Sequence, residues 1–488
     1  MSTRRRLSLA LILFTSCYSQ AHTKHTEDTL WQAALKSGAP TLKRIEASFM
    51  GAKLASAQQQ ASYTSILGAR IGYQDTNEKP LNPMQPIFTP SSEASIFATK
   101  NFTHGLSATV SASANKMSSK ELGINNQTKA YAEFSVVMDL WKNLLGRVDK
   151  AKIYQRSFEQ EKAAALLKIR KKEFQIELRK VYWALIANRE SEKYAKQLLN
   201  STKKQLREAE KRLKASVGDK TSVARLRSQV ATRQNIITSL HYQKVNMQKA
   251  LMAMIPSLAG SQIKLARVDV AKTVSLVKQC AKIIKNRPKN PLLDTAYKPL
   301  LEAIEKSYRA QSIVAKSTSQ MDLKLTMAHA RIASENKGSY TTTPLDLPTT
   351  PYGRNQLRLE WSMPLFGDMD RLEKRQLALE RAIYEAEKGD FVSRLASQKT
   401  AIVPHIGLMF EALRNQKKST GLLSESVKSV EAKYKQARLS LMDLIREQDA
   451  LQDSQLREVD TNLQVLTTLL DHFKIFTDTP CKINKPLS

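Results

Sequence analysis

NQTKAYAEFSVVMDLWKNLLGR, from Asn126 to Arg147, alternates like a strand and stops at the turn-like Leu144-Leu145-Gly146-Arg147. It then runs directly into a long segment with a helical pattern. A second copy of this transition, NQLRLEWSMPLFGDMDR from Asn355 to Arg371, is again followed by a long helical segment. A chain that makes the same strand-to-helix passage twice reads as internally duplicated, and the rest of the sequence can be laid out around the two passages.

On the strand side, Tyr63, Ser65, Leu67, Ala69, Ile71 and Tyr73 recur with period two and predict a strand. Residues 75–92, with Pro80, Pro83, Pro86 and Pro90, predict an exposed loop. Ser95–Phe102 and Leu106–Asn115 flank a turn at Thr103-His104-Gly105 and predict a hairpin. In the second half, Met321, Leu323, Leu325 and Met327 alternate and residues 334–354 form a Ser/Thr/Pro/Gly-rich loop. Leu357, Leu359, Trp361 and Met363 then alternate into Pro364-Leu365-Phe366-Gly367.

On the helix side, Val148–Met254 holds no proline and one glycine, Gly218. Leu199, Leu206 and Leu213 lie seven apart on one side of it, and Val223, Val230 and Ile237 on the other, as in a coiled coil. A turn at Val217-Gly218-Asp219 into two antiparallel arms is expected, because glycine reverses a helix at low steric cost. The second helical region, Arg371–Phe473, is expected to be interrupted at Pro404. It carries two heptad registers, Leu456-Leu463-Leu470 and Val459-Leu466-Phe473. Thr26–Gln60 is helical by pattern, and Pro40 and Pro291 each stand where a helix can start.

The layout is therefore a first repeat at 22–269 and a second at 270–488. The first has N-terminal helices, β segments in 62–140 and a helical hairpin at 148–254. The second has helices in 270–318, β segments in 321–366, a helical hairpin at 371–473 and a polar tail. The repeats differ in length: Pro40 and Pro291 are offset by 251 residues, but Arg147 and Arg371 by 224. The proline loop and extra hairpin of 80–117 account for the difference.

The formal charge is +32, from 77 Lys+Arg against 45 Asp+Glu. Such an excess suits nucleic acid, an anionic membrane surface or acidic partners. The N-terminus argues against nucleic acid, because residues 1–21 read as a secretory signal: Arg4–Arg6, an apolar run from Leu7 to Phe14, then Ser19-Gln20-Ala21 as a small-x-small cleavage site. Removing the three arginines leaves about +29. Phe14-Thr15-Ser16-Cys17 nearly matches a lipoprotein box, which would instead leave a lipidated Cys17. No later apolar run approaches the ~18 residues of a membrane helix. Short alternating strands can still cross a membrane as a closed barrel. The two remaining cysteines, Cys280 and Cys481, can pair in an oxidising compartment or remain thiols. The seven histidines show no metal-ligand spacing, and no nucleophile elbow is present, so neither a cofactor nor an enzyme activity is expected.

This order of elements resembles the TolC-type outer-membrane factor family over nearly the whole mature chain. DLWKNLLGR (139–147) and MPLFGDMDR (363–371) look like the family's strand-to-helix crossings. RLKASVGDKTSVARLRSQ (212–229) and KYKQARLSLMDLIREQD (433–449) look like its helical-hairpin turns. Those turns usually read Val-Gly, then Ser/Thr three residues on, then Asp three further. The first tip keeps Val217, Gly218 and Thr221 but has Ala224. The second has Ala437 for the glycine and keeps Ser440 and Asp443.

The resemblance implies a mainly α protein with transmembrane β structure: a homotrimer whose shared β-barrel in the outer-membrane lipid continues as a periplasmic tunnel of antiparallel helices. It implies a passive exit duct of a tripartite efflux or type I secretion system, opened by a periplasmic adaptor and an inner-membrane transporter. Trp141, Gly146, Arg147, Pro364, Phe366, Gly367 and Arg371 would form the barrel-to-helix joints. Val217, Gly218, Thr221, Arg438, Leu439 and Ser440 would form adaptor-docking tips. Asp443 would give a ring of three carboxylates at a periplasmic gate, where Arg446 replaces the usual second Asp and could contact Asp443. Beside these stand plainer readings: a solvated carboxylate, simple turns, and core tryptophans at a joint. The competing function is a periplasmic coiled-coil scaffold that never inserts. Two to four strands per chain are too few for a conducting barrel, so the channel reading requires oligomerisation.

Overall fold

The computed structural model describes residues 24–78, 87–119, 122–261, 263–268, 270–285, 297–317, 319–363, 367–436 and 438–476. The expected signal segment with Cys17, the start of a helix at Pro291, the joint residues Pro364 and Phe366, and Cys481 lie outside these residues. The elements in order are α1 (Glu27–Lys36), α2 (Pro40–Ala61), β1 (Ser65–Gln74), β2 (Ser91–Phe102), β3 (Leu106–Ser119), β4 (Ile124–Asp139), α3 (Arg147–Lys214) and α4 (Lys220–Met254). They continue with α5 (Val270–Lys285), α6 (Tyr297–Lys316), β5 (Asp322–Asn336), β6 (Gly353–Ser362), α7 (Asp368–Lys435) and α8 (Leu441–Ile475). The chain divides into two compact units, a helical one (Met1–Arg44, Arg170–Thr295, Leu395–Ser488) and one containing the sheet (Ile45–Ile169, Ala296–Arg394).

The sheet has six antiparallel strands in the order β1-β2-β3-β4-β5-β6. That exceeds the two to four strands expected per chain, because the hairpin β2–β3 pairs on both sides and belongs to the sheet. Its turn is at Gly105, with φ +75°. The duplicated halves meet at β4–β5, where Val136 pairs with Met327 and Met138 with Leu325. The β5–β6 connection is more ordered than a polar loop. β5 extends through Asn336, and the connection lies over the end of the sheet. Leu347 fills a recess left by the small side chains of Ala114, Ala130 and Ala333. The hydroxyl of the buried Thr128 donates to the Gly338 carbonyl at 2.9 Å. The Glu335 carboxylate accepts from Thr342 and Thr343 at 3.2 and 3.0 Å. In the same unit α6 packs Leu300 and Ile304 against Ala165 and Ile169 of α3, and Tyr308 stacks on Tyr384 of α7 at 4.8 Å.

The core of the helical unit is assembled from six helices. Leu30 and Ala34 of α1, Ile176, Leu178 and Ile186 of α3, Leu251 of α4, Val277 of α5, Ile406 and Leu413 of α7, and Val465, Leu469 and Phe473 of α8 are buried together. The register Val459-Leu466-Phe473 is wholly buried, and in the other register only Leu470 is. Glu27, in the first turn of α1, accepts from Arg179 Nε at 2.9 Å and Trp183 Nε1 at 2.8 Å. Cys280 is buried and disulfide-bonded.

Pro404 does not interrupt the second helical region as expected, since α7 runs continuously through it. A proline removes one backbone hydrogen bond and crowds the preceding turn. Here Leu395, Ile406 and Leu413 are buried on either side, and their packing holds the helix across the break in its ladder.

One buried charge is only half satisfied. Arg233 of α4 is 1% exposed and donates through Nη2 to Asp449 of α8 at 2.8 Å, while its Nε and Nη1 have no hydrogen-bond partner. Removing one partner of a fully buried pair costs about 3–5 kcal/mol, and less here because Asp449 is 45% exposed and its charge is screened, whereas an apolar replacement of the buried ion is often neutral or better. Asp449→Ala should therefore lower the thermal unfolding midpoint of the detergent-solubilised protein clearly. Arg233→Met should leave it unchanged or raise it.

Candidate functional site

Alternation along the paired strands sorts the sheet into two unlike faces. Leu67, Ala98, Val110 and Phe134 stand side by side across β1–β4, with Ala69, Ile96, Ala112 and Ala132 in the next row. Nearer the helices the same face carries Phe102, Leu106, Met138, Leu325 and Leu359. Many of these apolar residues are exposed, Ile71 at 88% and Leu357 at 74% among them. The opposite face carries Thr99, Thr109 and Ser135, then Ser111, Glu133 and Arg354, then Arg70, Ser95 and Ser113. There Thr99 and Thr109 are bonded hydroxyl to hydroxyl at 3.0 Å, and Arg354 pairs with Glu133 at 3.0 Å. The apolar face has polar departures on β2, β5 and β6, with Lys100 standing in the row of Ala108, Val136 and Met327. His329 is bonded to Asn355 at 2.7 Å, and Arg331 donates to the Pro348 carbonyl at 2.8 Å.

The first strand-to-helix joint is a locked corner. Leu145 and Gly146 have φ of +52° and +76°. A Cβ on Gly146 would lie 1.8 Å from the Thr103 carbonyl oxygen, and one on Gly105 would lie 2.3 Å from the Asn143 oxygen. The β2–β3 turn is thus packed backbone to backbone on the joint, and the Asp139 amide donates to the Gly105 carbonyl at 2.9 Å. Asn143 starts α3: its Oδ1 accepts from the Val148 and Asp149 amides at 2.9 and 3.1 Å, and its Nδ2 donates to Asp149. Arg147 donates to Gln320 at 3.2 Å. The second joint is open where described. Gly367 has φ +68° with nothing near a prospective Cβ, and Arg371 is exposed beside Asp368 at 3.7 Å. Trp141 lies just beyond β4 and Trp361 just inside β6, both 59% exposed.

Both hairpin tips fall within the expected stretches, 212–229 and 433–449, but they are capped differently. In the first, Asp219 caps α4, its carboxylate accepting from the Thr221 and Ser222 amides at 3.0 Å each. Those bonds hold its pKa below the usual carboxylate value. Val217 is 83% exposed, and Gly218 sits tight on the backbone of Arg212 and Leu213. In the second, Ser440 and Asp443 form a reciprocal capping box: the Asp443 amide donates to the Ser440 hydroxyl at 3.2 Å and the Ser440 amide donates to the Asp443 carboxylate at 3.3 Å, with a further bond from the Ser440 hydroxyl to that carboxylate at 2.6 Å. The Asp443 pKa is lowered first by Ser440 and also by the charge of Arg446. Arg438 and Arg446 are exposed, and Leu439 is half-buried. The two tips join through Leu226, Leu441 and Ile445.

Thr221 and Ser440 match in the turn pattern, yet Thr221 lies inside the first turn of α4 and the cap belongs to Asp219. Sequence reasoning placed Asp219 and Gly105 in their turns without the cap of the one or the joint contact of the other, and it missed Asn143. An Asp just before a helical run was a legible capping signal. The contacts of Asn143 and Gly105 are tertiary. Among the described residues no group of three His, Cys, Asp or Glu could hold a metal ion.

Two measurements check this geometry. Gly146→Ala should block assembly or lower the unfolding midpoint strongly, because its Cβ meets backbone that cannot yield. Gly367→Ala, strained only by its φ, should cost about 1 kcal/mol. At the tips, folded carboxylates with lowered pKa stabilise above the unfolded value and lose that contribution as pH falls through the folded one. Amide exchange at Thr221, Ser222 and Asp443, corrected for intrinsic rate, should stay flat from pH 7 to about 5 and rise only below about 4.

No family model and no curated protein matches the sequence. Solved structures do match. The outer membrane protein VceC from Vibrio cholerae is 14% identical, with a TM-score of 0.64 over 91% of this chain and 94% of that one. The CmeC outer membrane channel of Campylobacter jejuni is 11% identical, with a TM-score of 0.62 over 96% and 93%. The MtrE outer membrane channel of Neisseria gonorrhoeae is 12% identical, with a TM-score of 0.61 over 92% and 88%. The chain has the fold of these outer-membrane channels.

Proposed function

We propose that this protein is an outer-membrane channel, the passive exit duct of a tripartite efflux or type I secretion system, opened by a periplasmic adaptor and an inner-membrane transporter. The observation that carries the reading is the two-faced sheet with two open edges. From the Leu323–Trp361 pair to the Ile71–Ala94 pair the apolar face extends ten residues along the strands. At ~3.3 Å per residue and a tilt of ~40° that is about 25 Å, the height of a barrel's apolar band. No described helix is long and apolar enough to cross a membrane.

β1 and β6 each lack a neighbour on one side in the six-stranded order, and they run antiparallel to one another. An unpaired edge is untenable in lipid. Copies joined β6 to β1 close an all-antiparallel barrel by rotation. Three copies of six strands give eighteen, in the range where barrels hold an aqueous channel. The polar face, with Arg70, Glu133 and Arg354, would line the water. In such a trimer Asp443 and Arg446 would recur threefold at the tips as a charged gate, Asp443 already ionised by its cap. A channel with this inventory does no covalent chemistry, so no enzyme activity is proposed.

A periplasmic scaffold would have no use for the exposed apolar face. Val110→Arg on that face should cost about 2–4 kcal/mol of membrane stability and prevent a heat-modifiable oligomer from forming in the outer-membrane fraction. Ser111→Arg, one residue on, should assemble normally. Equal tolerance of both, or a soluble wild-type monomer in the periplasm, contradicts the channel.

A further inference from the structure

The apolar face of the sheet carries a cation that the chain does not neutralise. Between the Leu323–Trp361 pair and the Ile71–Ala94 pair, no Asp or Glu stands on that face among the described strand residues. Lysine and arginine do. Lys100 shares a row with Met327, four residues from Leu323, and its flexible stem can carry the ammonium to the near interface. Arg331 stands towards the opposite end, two residues from Ala333, and is exposed. Its Nη1 donates to the Pro348 carbonyl at 2.8 Å, and it forms no ion pair with a described residue. Two residues deeper lies the exposed His329–Asn355 pair, bonded at 2.7 Å. We propose that Arg331, with His329 and Asn355 beneath it, binds the phosphate headgroup of an outer-leaflet lipid. This rests on the channel reading, which puts the face in lipid and this end of it, away from the helices, in the outer leaflet.

A bare guanidinium on the lipid side of a barrel is costly, and this one finds no anion in its own chain. Glu335, beyond the apolar rows, accepts from Thr342 and Thr343, and Asp346 of the β5–β6 connection does not pair with Arg331. A second copy joined at β6 would bring β1, whose residues on this face are Ser65, Leu67, Ala69, Ile71 and Tyr73, without a carboxylate. A phosphate matches the planar fork of an arginine. The surroundings select a lipid over free phosphate. Phe134, in the row of His329, and Met327 and Leu357, one row deeper, are exposed and offer a wall to acyl chains. The Asn355 amide takes the His329 bond through Oδ1 and keeps Nδ2 for ester oxygens. Above Arg331 the β5–β6 connection crosses this same face: Gly338 accepts from Thr128 of β4, Tyr340 donates to Ser92 of β2 at 2.5 Å, and Leu347 fills the alanine recess. It forms a ledge where the apolar rows end, at the level of a headgroup held by Arg331.

The test uses the full-length protein in detergent and three probes: a short-chain phosphatidic acid, the diacylglycerol with the same chains, and inorganic phosphate. The wild type should bind the phosphatidic acid at least about ten-fold more tightly than either of the others. Arg331→Gln should weaken that binding about ten-fold, and Arg331→Lys, which keeps the charge without the fork, by a smaller factor. Lys100→Gln should change it by less than about two-fold. Should Arg331→Gln fail to assemble as a heat-modifiable oligomer, a loss in Arg331→Lys supports the proposal and unchanged binding there overturns it. Equal losses from Arg331→Gln and Lys100→Gln, equal binding of the diacylglycerol or of inorganic phosphate, or no binding of phosphatidic acid by the wild type each overturns it as well. Conductance of the wild type in a planar bilayer is read separately: its absence overturns the channel reading, and conductance without phosphatidic acid binding overturns this proposal alone.

Discussion

Backbone hydrogen bonding at the two edges of the sheet governs this molecule. Six strands satisfy one another internally, but among the described residues β1 and β6 leave a row of amides and carbonyls without a neighbouring strand. In water such edges invite aggregation, and in lipid each unsatisfied group costs several kcal/mol. The exposed apolar face, with Ile71, Leu357 and Leu359 largely uncovered in one chain, is the other half of the problem. A membrane covers the face, and copies of the chain cover the edges. Neither remedy alone is sufficient, which is why the channel reading and the oligomer reading stand or fall together.

The joint at 139–149 shows how the sheet fixes where the helices begin. The β2–β3 turn does more than add two strands. It presses Thr103 and Gly105 against Asn143 and Gly146 so closely that no side chain fits at either glycine. The start of α3 is thereby tied to the sheet by backbone contact and by the Asn143 cap. Among the described residues the second repeat has no such hairpin, and none comes near a prospective Cβ on Gly367. The two strand-to-helix passages therefore differ, since only the first is packed backbone to backbone on the β2–β3 turn. The tips show the same divergence: one is capped by Asp219, the other by a Ser440–Asp443 box.

Local pattern was enough to find the strands, the hairpin at 95–115 and the first helical reversal, because period two, period seven and Gly218 are properties of neighbouring residues; the second reversal, without a glycine, was legible only through the family resemblance. What lay beyond reach was tertiary. Nothing near Ser95 or Leu106 in the chain says that the hairpin pairs with β1 and β4, so the strand count came out low. Pro404 looked like a break because its local cost is real, but the burial of Ile406 and Leu413 outweighs it. Residues 334–354 looked like a polar loop because Leu345 and Leu347 stand among threonines and prolines with no period, and the seat of Leu347 on Ala114, Ala130 and Ala333 draws on three strands. At the tips the turn pattern located the turns but did not single out Asp219 as the first cap, since Asp219 and Thr221 are both capable of capping.

The central claim is that copies of this chain close one barrel through β1 and β6. An electron-microscopy image of the purified protein in detergent or nanodiscs tests it most directly. The account predicts a threefold particle in which three six-stranded sheets form one barrel, continued on one side by a helical tunnel. A monomeric particle, or an oligomer held only by its helices with the sheet edges open, would contradict it.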